Sequence, residues 1–151
     1  SISDLLKDVC ELTYQARKKN NICILPTEDT MLGGFSDWSN LKKIKNIDIL
    51  STDPYWQRKN REVKEYVGYY TDKIITVSKE LNTAREIWVQ AYKIIAGREQ
   101  EIAQAVELLL SKNIESIMFW SYKAGYPMSA LESDDVQTTW QVICELVKKY
   151  G

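Results

Sequence analysis

The sequence predicts a single α/β domain over residues 1–151, a leading helix followed by four strand-and-helix units. Three observations predict it. Short unbroken apolar runs alternate with longer segments whose apolar residues recur every three or four positions, and turn-forming residues separate the two kinds. A chain of 151 residues suits one domain, long enough to bury about two thirds of the surface its unfolded form exposes. Strands that alternate with helices form parallel sheets through right-handed crossovers.

The leading helix spans Asp4 to Lys19, with Leu5, Val9, Leu12 and Ala16 at helical spacing, Ser1 and Ser3 as cap candidates and Asn20-Asn21 as a stop. Ile22-Cys23-Ile24-Leu25, closed by Pro26, reads as a strand buried on both faces. A polar stretch from Thr27 to Thr30 and the pair Gly33-Gly34 form a loop, and a short helix follows from Asp37 to Ile44 under Ser36 or Asp37. The second strand is Ile47-Asp48-Ile49-Leu50, after which Pro54 biases Asp53 away from helical angles. Val63, Tyr66, Val67, Tyr70, Ile74, Val77 and Leu81 then describe one long helix. Ile87 to Ala91 is the third strand, and its helix runs from Arg98 to Lys112 with Asn113 at its carboxyl end. Ile117 to Trp120 is the fourth strand, and Ser133 or Asp134 caps a last helix that shares Val136, Trp140, Ile143 and Val147 on one face.

Four units are half of what a closed (β/α)8 barrel of about 250 residues contains. Half a barrel has two open strand edges. They call for a missing N-terminal half, for a second copy in a homodimer, or for an open, flavodoxin-like sheet as the alternative architecture. A first residue of Ser1 rather than Met is compatible with a fragment of a longer protein.

Composition narrows the function. Twenty Lys and Arg against 21 Asp and Glu, with no basic run, argue against nucleic acid. No apolar run reaches the roughly 18 residues of a membrane span, and the first turn lacks the pattern of a signal peptide. Cys10, Cys23 and Cys144 are odd in number and lie in apolar stretches, as buried thiols do, so a cytoplasmic location is expected. Histidine is absent, which excludes triads and zinc sites built on imidazole; with neither GxGxxG nor GxxxxGK present, no metal and no cofactor are expected.

Ligands of parallel α/β folds bind beyond the carboxyl ends of the strands. The four loops there carry Glu28 and Asp29; Asp53, Tyr55 and Trp56; Gln90, Tyr92 and Lys93; and Trp120, Tyr122 and Lys123. Carboxylates, amides and aromatic rings together suit a carbohydrate, because rings stack on sugar C–H faces while planar polar groups take the hydroxyls. Glycoside hydrolysis needs two carboxylates, about 5 to 5.5 Å apart in retaining enzymes and about 6.5 to 9.5 Å in inverting ones. Glu28 and Asp53 end successive strands, which lie about 4.8 Å apart when adjacent, and are the candidate catalytic pair. The competing reading has Glu28 or Asp29 capping a turn and Asp53 making an Asx turn at Asp53-Pro54. Trp88, mid-strand, reads as core; Trp56 and Trp120 divide evenly between sugar platform and core.

The segments IDILSTDPYW, REIWVQAYKIIAGREQEIAQAV and SIMFWSYKAG resemble stretches of uncharacterised glycoside hydrolase-like (β/α)8 barrel proteins. That resemblance makes the chain the C-terminal half of such a barrel and gives Trp120 the floor of the sugar site. It also places a nucleophile at the end of the third strand, where this chain has Gln90 and no carboxylate before Glu99. The expectation is therefore a domain that binds a carbohydrate and hydrolyses it only if an acid pair such as Glu28 and Asp53 has taken over. A non-catalytic interaction or assembly domain is the alternative.

Overall fold

In a computed structural model, the protein is described over residues 2–26, 37–128 and 130–151, with the backbone alone of Arg58. The elements are α1 (Ile2–Gln15), β1 (Asn21–Ile24), a 3-10 turn (Trp38–Lys43), β2 (Ile49–Thr52), α2 (Val63–Leu81), β3 (Ala84–Gln90), α3 (Gln100–Ser111), β4 (Ser116–Trp120) and α4 (Val136–Tyr150). The four strands form one parallel sheet in the order β1-β2-β3-β4. Sequential order is that of half a closed barrel; a flavodoxin-like sheet would reverse at its first strand.

Why these residues make these elements is plain in the helices. Along α2, Val63, Tyr66, Val67, Tyr70, Ile74 and Val77 are all buried, and Glu62 caps the first turn by accepting from the Glu65 N–H at 2.7 Å. Asp37 caps the 3-10 turn through Ser39 N–H. Asp135, rather than Ser133 or Asp134, caps α4, accepting from Thr138 N–H at 2.9 Å. Asn113 takes the left-handed conformation past the end of α3, with a φ of 55°.

The core lies between the sheet and the helices α2, α3 and α4. Ile24, Leu50, Ile87 and Val89 bury one sheet face against Val67, Ile74, Ile102, Ala105, Leu109 and Ile143. Thr52 belongs to that face too, and its hydroxyl is satisfied by the Ile24 carbonyl at 2.5 Å. The opposite face carries Asn21, Cys23, Ser51, Glu86, Trp88, Ser116, Met118 and Trp120, because side chains alternate along each strand. No described helix covers it. Ile22 to Leu25 are accordingly not buried on both faces: Cys23 is exposed and Leu25 is 42% exposed. The second strand lies two residues further along than its apolar run suggests, since Ser51 and Thr52 find hydrogen bonds inside the sheet.

Candidate functional site

The uncovered face is polar at the amino end of the strands and aromatic at the carboxyl end. At the amino end Glu86 is the hub. Its carboxylate accepts from the Asn21 amide at 2.7 Å, the Trp88 indole at 3.0 Å and the Ser116 hydroxyl at 2.9 Å, while Ser51 donates to Asn21 at 2.8 Å. One buried charge thus satisfies donors from three strands, which fixes their register. These three hydrogen bonds commit the carboxylate to holding the sheet together.

Reaching from that network to the carboxyl ends of the strands, an open concavity of about 370 Å³ is lined by Asn21, Cys23, Ser51, Asp53, Tyr55, Trp88 and Trp120. None of these is basic. Trp88 and Trp120 meet edge to face with centroids 6.4 Å apart, and Trp120 is 45% exposed. Asp53 enters the concavity from the loop after β2, where the Tyr55 N–H turns back onto the Asp53 carbonyl at 2.8 Å. Tyr55 stands edge-on to Tyr92 at 5.2 Å. Burial, and then the charge of Asp53, push the Tyr55 phenol well above its ordinary value, so it remains a hydrogen-bond donor throughout the neutral range. Cys23 is exposed by surface area, yet its thiol sits among enough protein for burial to push it up to about 11, with Asp53 and Glu86 adding to the effect. It is a neutral thiol, not a nucleophile. Asp53 is two residues past Ser51, the partner of Glu86, which puts the two backbone positions about 8 Å apart.

The sequence-predicted residues divide into three groups. Asp53, Tyr55 and Trp120 share the concavity. Trp56, Gln90, Tyr92 and Tyr122 have other duties. Trp56 is fully buried and donates its indole N–H to Glu101 at 2.7 Å, so it offers no platform. Gln90 is likewise fully buried, accepting from Gln57 N–H at 3.1 Å and donating to the Tyr92 carbonyl at 3.0 Å; it is a strut between two loops. Tyr92 is 5% exposed behind Tyr55. Tyr122 packs on Trp140 of α4 at 5.1 Å, and Lys123 leans over the Tyr122 ring. Lys93 is exposed in a left-handed turn that donates its N–H to Leu131. Glu28 and Asp29 lie outside the described residues.

Two features were not foreseen. Trp88 is a lining residue rather than core, because its strand position points it to the uncovered face. Glu101, on α3, accepts from Trp56, Gln57 and Arg98 and so locks the loop after β2 to the loop after β3. The loop after β4 is stitched in as well: Ser133 accepts from Ile94 N–H and Asp134 from Ala96 N–H. Gly125, at a φ of 90°, lies where a Cβ would be 2.1 Å from the Leu131 carbonyl oxygen, so that loop closes only over glycine. The Trp120–Ser121 and Tyr126–Pro127 peptides are cis. Among the described residues, no group of three or more Cys, Asp or Glu side chains could hold a metal ion, and no helix is long and apolar enough to cross a membrane.

Comparison with known proteins fits this architecture. No protein-family model and no curated protein matches the chain. Among solved structures, it is similar to the hyperthermostable endo-1,4-beta-D-mannanase of Thermotoga petrophila RKU-1, with a TM-score of 0.59 and 13% identity over 99% of this chain. A second structure of an endo-beta-1,4-mannanase from Thermotoga petrophila matches 74% of this chain and 28% of that one at 16% identity and a TM-score of 0.47. The chain spans 52% of the length of the first mannanase. The fold is thus that of about half of a (β/α)8 barrel.

Proposed function

We propose that the chain is a glycoside hydrolase-related domain that holds a carbohydrate in the concavity at the carboxyl ends of its strands. The observation that carries this reading is the half-buried Trp88 and the exposed Trp120 lining one open concavity together with Asp53 and Tyr55. Two rings set at 63° supply faces for sugar C–H surfaces, and the carboxylate and phenol beside them supply an acceptor and a donor for hydroxyls. The described residues that line the concavity itself include no cation, which favours a neutral oligosaccharide there. The likeness to a mannanase favours a β-1,4-linked manno-oligosaccharide as the first ligand to try.

Hydrolysis is the finer part of the proposal and assigns Glu28 and Asp53 as acid and nucleophile or base. Asp53 lines the concavity just beyond the carboxyl end of β2, where a carboxylate would meet a bound sugar. Glu28 is its partner by position in the sequence, four residues after the last residue of β1. Lys93, Tyr122 and Lys123 would act at the outer rim. Calorimetry with a manno-oligosaccharide, together with reducing-end release, tests both parts. Binding is expected, weakened at least about tenfold in Trp120→Ala; turnover, if Glu28 and Asp53 act as a pair, falls about 10²–10⁴-fold in Glu28→Gln and in Asp53→Asn. Absence of binding to this and to other neutral oligosaccharides would end the carbohydrate reading.

A further inference from the structure

The ends of β3 and β4 lead into related short sequences that finish on Tyr-Lys. Gln90-Ala91-Tyr92-Lys93 and Trp120-Ser121-Tyr122-Lys123 stand in register, because Gln90 pairs with Trp120. Lys93 and Lys123 are therefore equivalent residues of neighbouring rim loops, and each takes the left-handed backbone, with a φ of 51° and 48°. Three residues of chain reach at most about 11 Å, so each lysine lies within that backbone distance of its strand end, and Trp120 at one of those ends lines the concavity.

The left-handed conformation is unfavourable for most residues with a side chain and suits glycine or asparagine. Elsewhere the chain uses those residues for it: Asn46, Asn60, Asn82 and Asn113, with Gly97 and Gly125, leave only Arg17 and Ala124 as further exceptions among the described residues. Lysine at both rim positions is thus not what the turns ask for. Both lysines are exposed, and among the described residues neither ammonium meets a carboxylate, whereas Lys42, Lys112, Arg85 and Arg98 each do. The two loops are braced against each other. The Ala91 N–H donates to the Trp120 carbonyl at 2.5 Å, the Lys93 N–H to that of Leu131 at 3.2 Å, and the Asp134 N–H to that of Ile94 at 2.9 Å, so the lysines share one frame.

Beside them Tyr122 is 70% exposed, its ring held edge-on against Trp140 at 5.1 Å, with Lys123 Nζ 5.6 Å from its centroid. A ring face and an ammonium this close suit a sugar that carries an anionic group, since the ring takes the C–H face and the cation takes the charge. The concavity has the opposite character: among its described lining residues the one charged side chain is Asp53, which repels an anion. We propose that Lys93, Tyr122 and Lys123 form an outer subsite for an anionic substituent, a carboxylate or a sulfate ester, on a sugar next to those held in the concavity. Lysine is a point charge without the planar fork of arginine, so it attracts either anion without selecting its shape. The subsite rests on the carbohydrate reading and narrows the ligand to one that is neutral in the concavity and acidic beyond it.

Calorimetry with three oligosaccharides of equal length tests it: a neutral manno-oligosaccharide, one bearing a uronic acid at an outer residue, and one bearing a sulfate ester there. At low ionic strength the acidic ligands should bind about five- to tenfold tighter than the neutral one, a ratio that shrinks as salt is added. Preference for either anion supports the subsite and says which group it takes. Lys93→Asn with Lys123→Asn should bring the ratio to about one while the melting temperature holds or rises, because asparagine suits both turns. Lys93→Arg with Lys123→Arg should keep the ratio. Equal or weaker binding of both acidic ligands, a ratio that survives in the asparagine pair, or a lower melting temperature in that pair, which would make the lysines structural, would each overturn the subsite and leave the carbohydrate reading standing. Failure of all three ligands to bind would end both.

Discussion

The two faces of the sheet are made by the same four strands and obey different chemistry. Residues facing the helices, Ile24, Leu50, Ile87 and Val89, are apolar and no more than 4% exposed. Their immediate neighbours in sequence, Cys23, Ser51, Glu86 and Trp88, turn to the other side and meet carboxylates, amides and open space. One face holds the fold together, and the other is the one that the proposed function gives to a ligand. The alternation of a strand lets a single short segment do both, which is why changes one residue apart should have unlike effects.

The comparison can be broken or sharpened by substitution. The largest stability effect is expected on the helix side, where Leu50→Ala deletes a fully buried side chain and should cost about 2–5 kcal/mol in urea denaturation. Next comes Glu86→Ala, which strands the amide of Asn21, the indole of Trp88 and the hydroxyl of Ser116 and should cost about 1.5–3 kcal/mol by the same measurement. A cost below that of an ordinary surface substitution would mean that the network is decoration. Trp120→Ala should change stability by about 1 kcal/mol or less while weakening the oligosaccharide, the inverse of Leu50→Ala.

The smallest effect belongs to neither face. Glu115, at the entry to β4, accepts a hydrogen bond from Arg85, which holds its carboxyl below the usual 4.5. A lowered carboxylate contributes stability above its unfolded value and loses it as pH falls through the folded one, so this contribution fades on acidification from about 4.5 downward. Glu115 is half exposed, and the pair is worth at most about 1 kcal/mol. Glu115→Gln should flatten that part of a stability profile against pH and leave neutral stability nearly intact.

Much of the architecture was legible in the residues because it rests on local periodicity. The α2 stripe from Val63 to Val77, the left-handed Asn113 and the parallel order of the strands all follow from patterns a few residues long. The candidate site was less legible, since it depends on which way a residue faces once strands pair. Trp88, expected in the core, lines the concavity for that reason, and Trp56, divided evenly between platform and core, is core. Mid-strand Trp88 falls on the uncovered face, whereas Trp56, beyond the strand, is drawn under the loop by the carboxylate of Glu101, 45 residues away. Glu86 gave no local signal at all, as its partners Asn21 and Ser116 are 65 and 30 residues distant. Gln90 looked like a ligand-facing amide because it ends a strand; Gln57 and Tyr92 instead use up its hydrogen bonds.

The chain has five tryptophans, and they supply the most direct test of the concavity as a ligand site. In a titration followed by the indole N–H signals in nuclear magnetic resonance, a manno-oligosaccharide should move Trp88 and Trp120 and leave the buried Trp38 and Trp56 in place. Shifts confined to Trp38, Trp56 or Trp140, with Trp88 and Trp120 unmoved by a sugar that binds, would contradict the account.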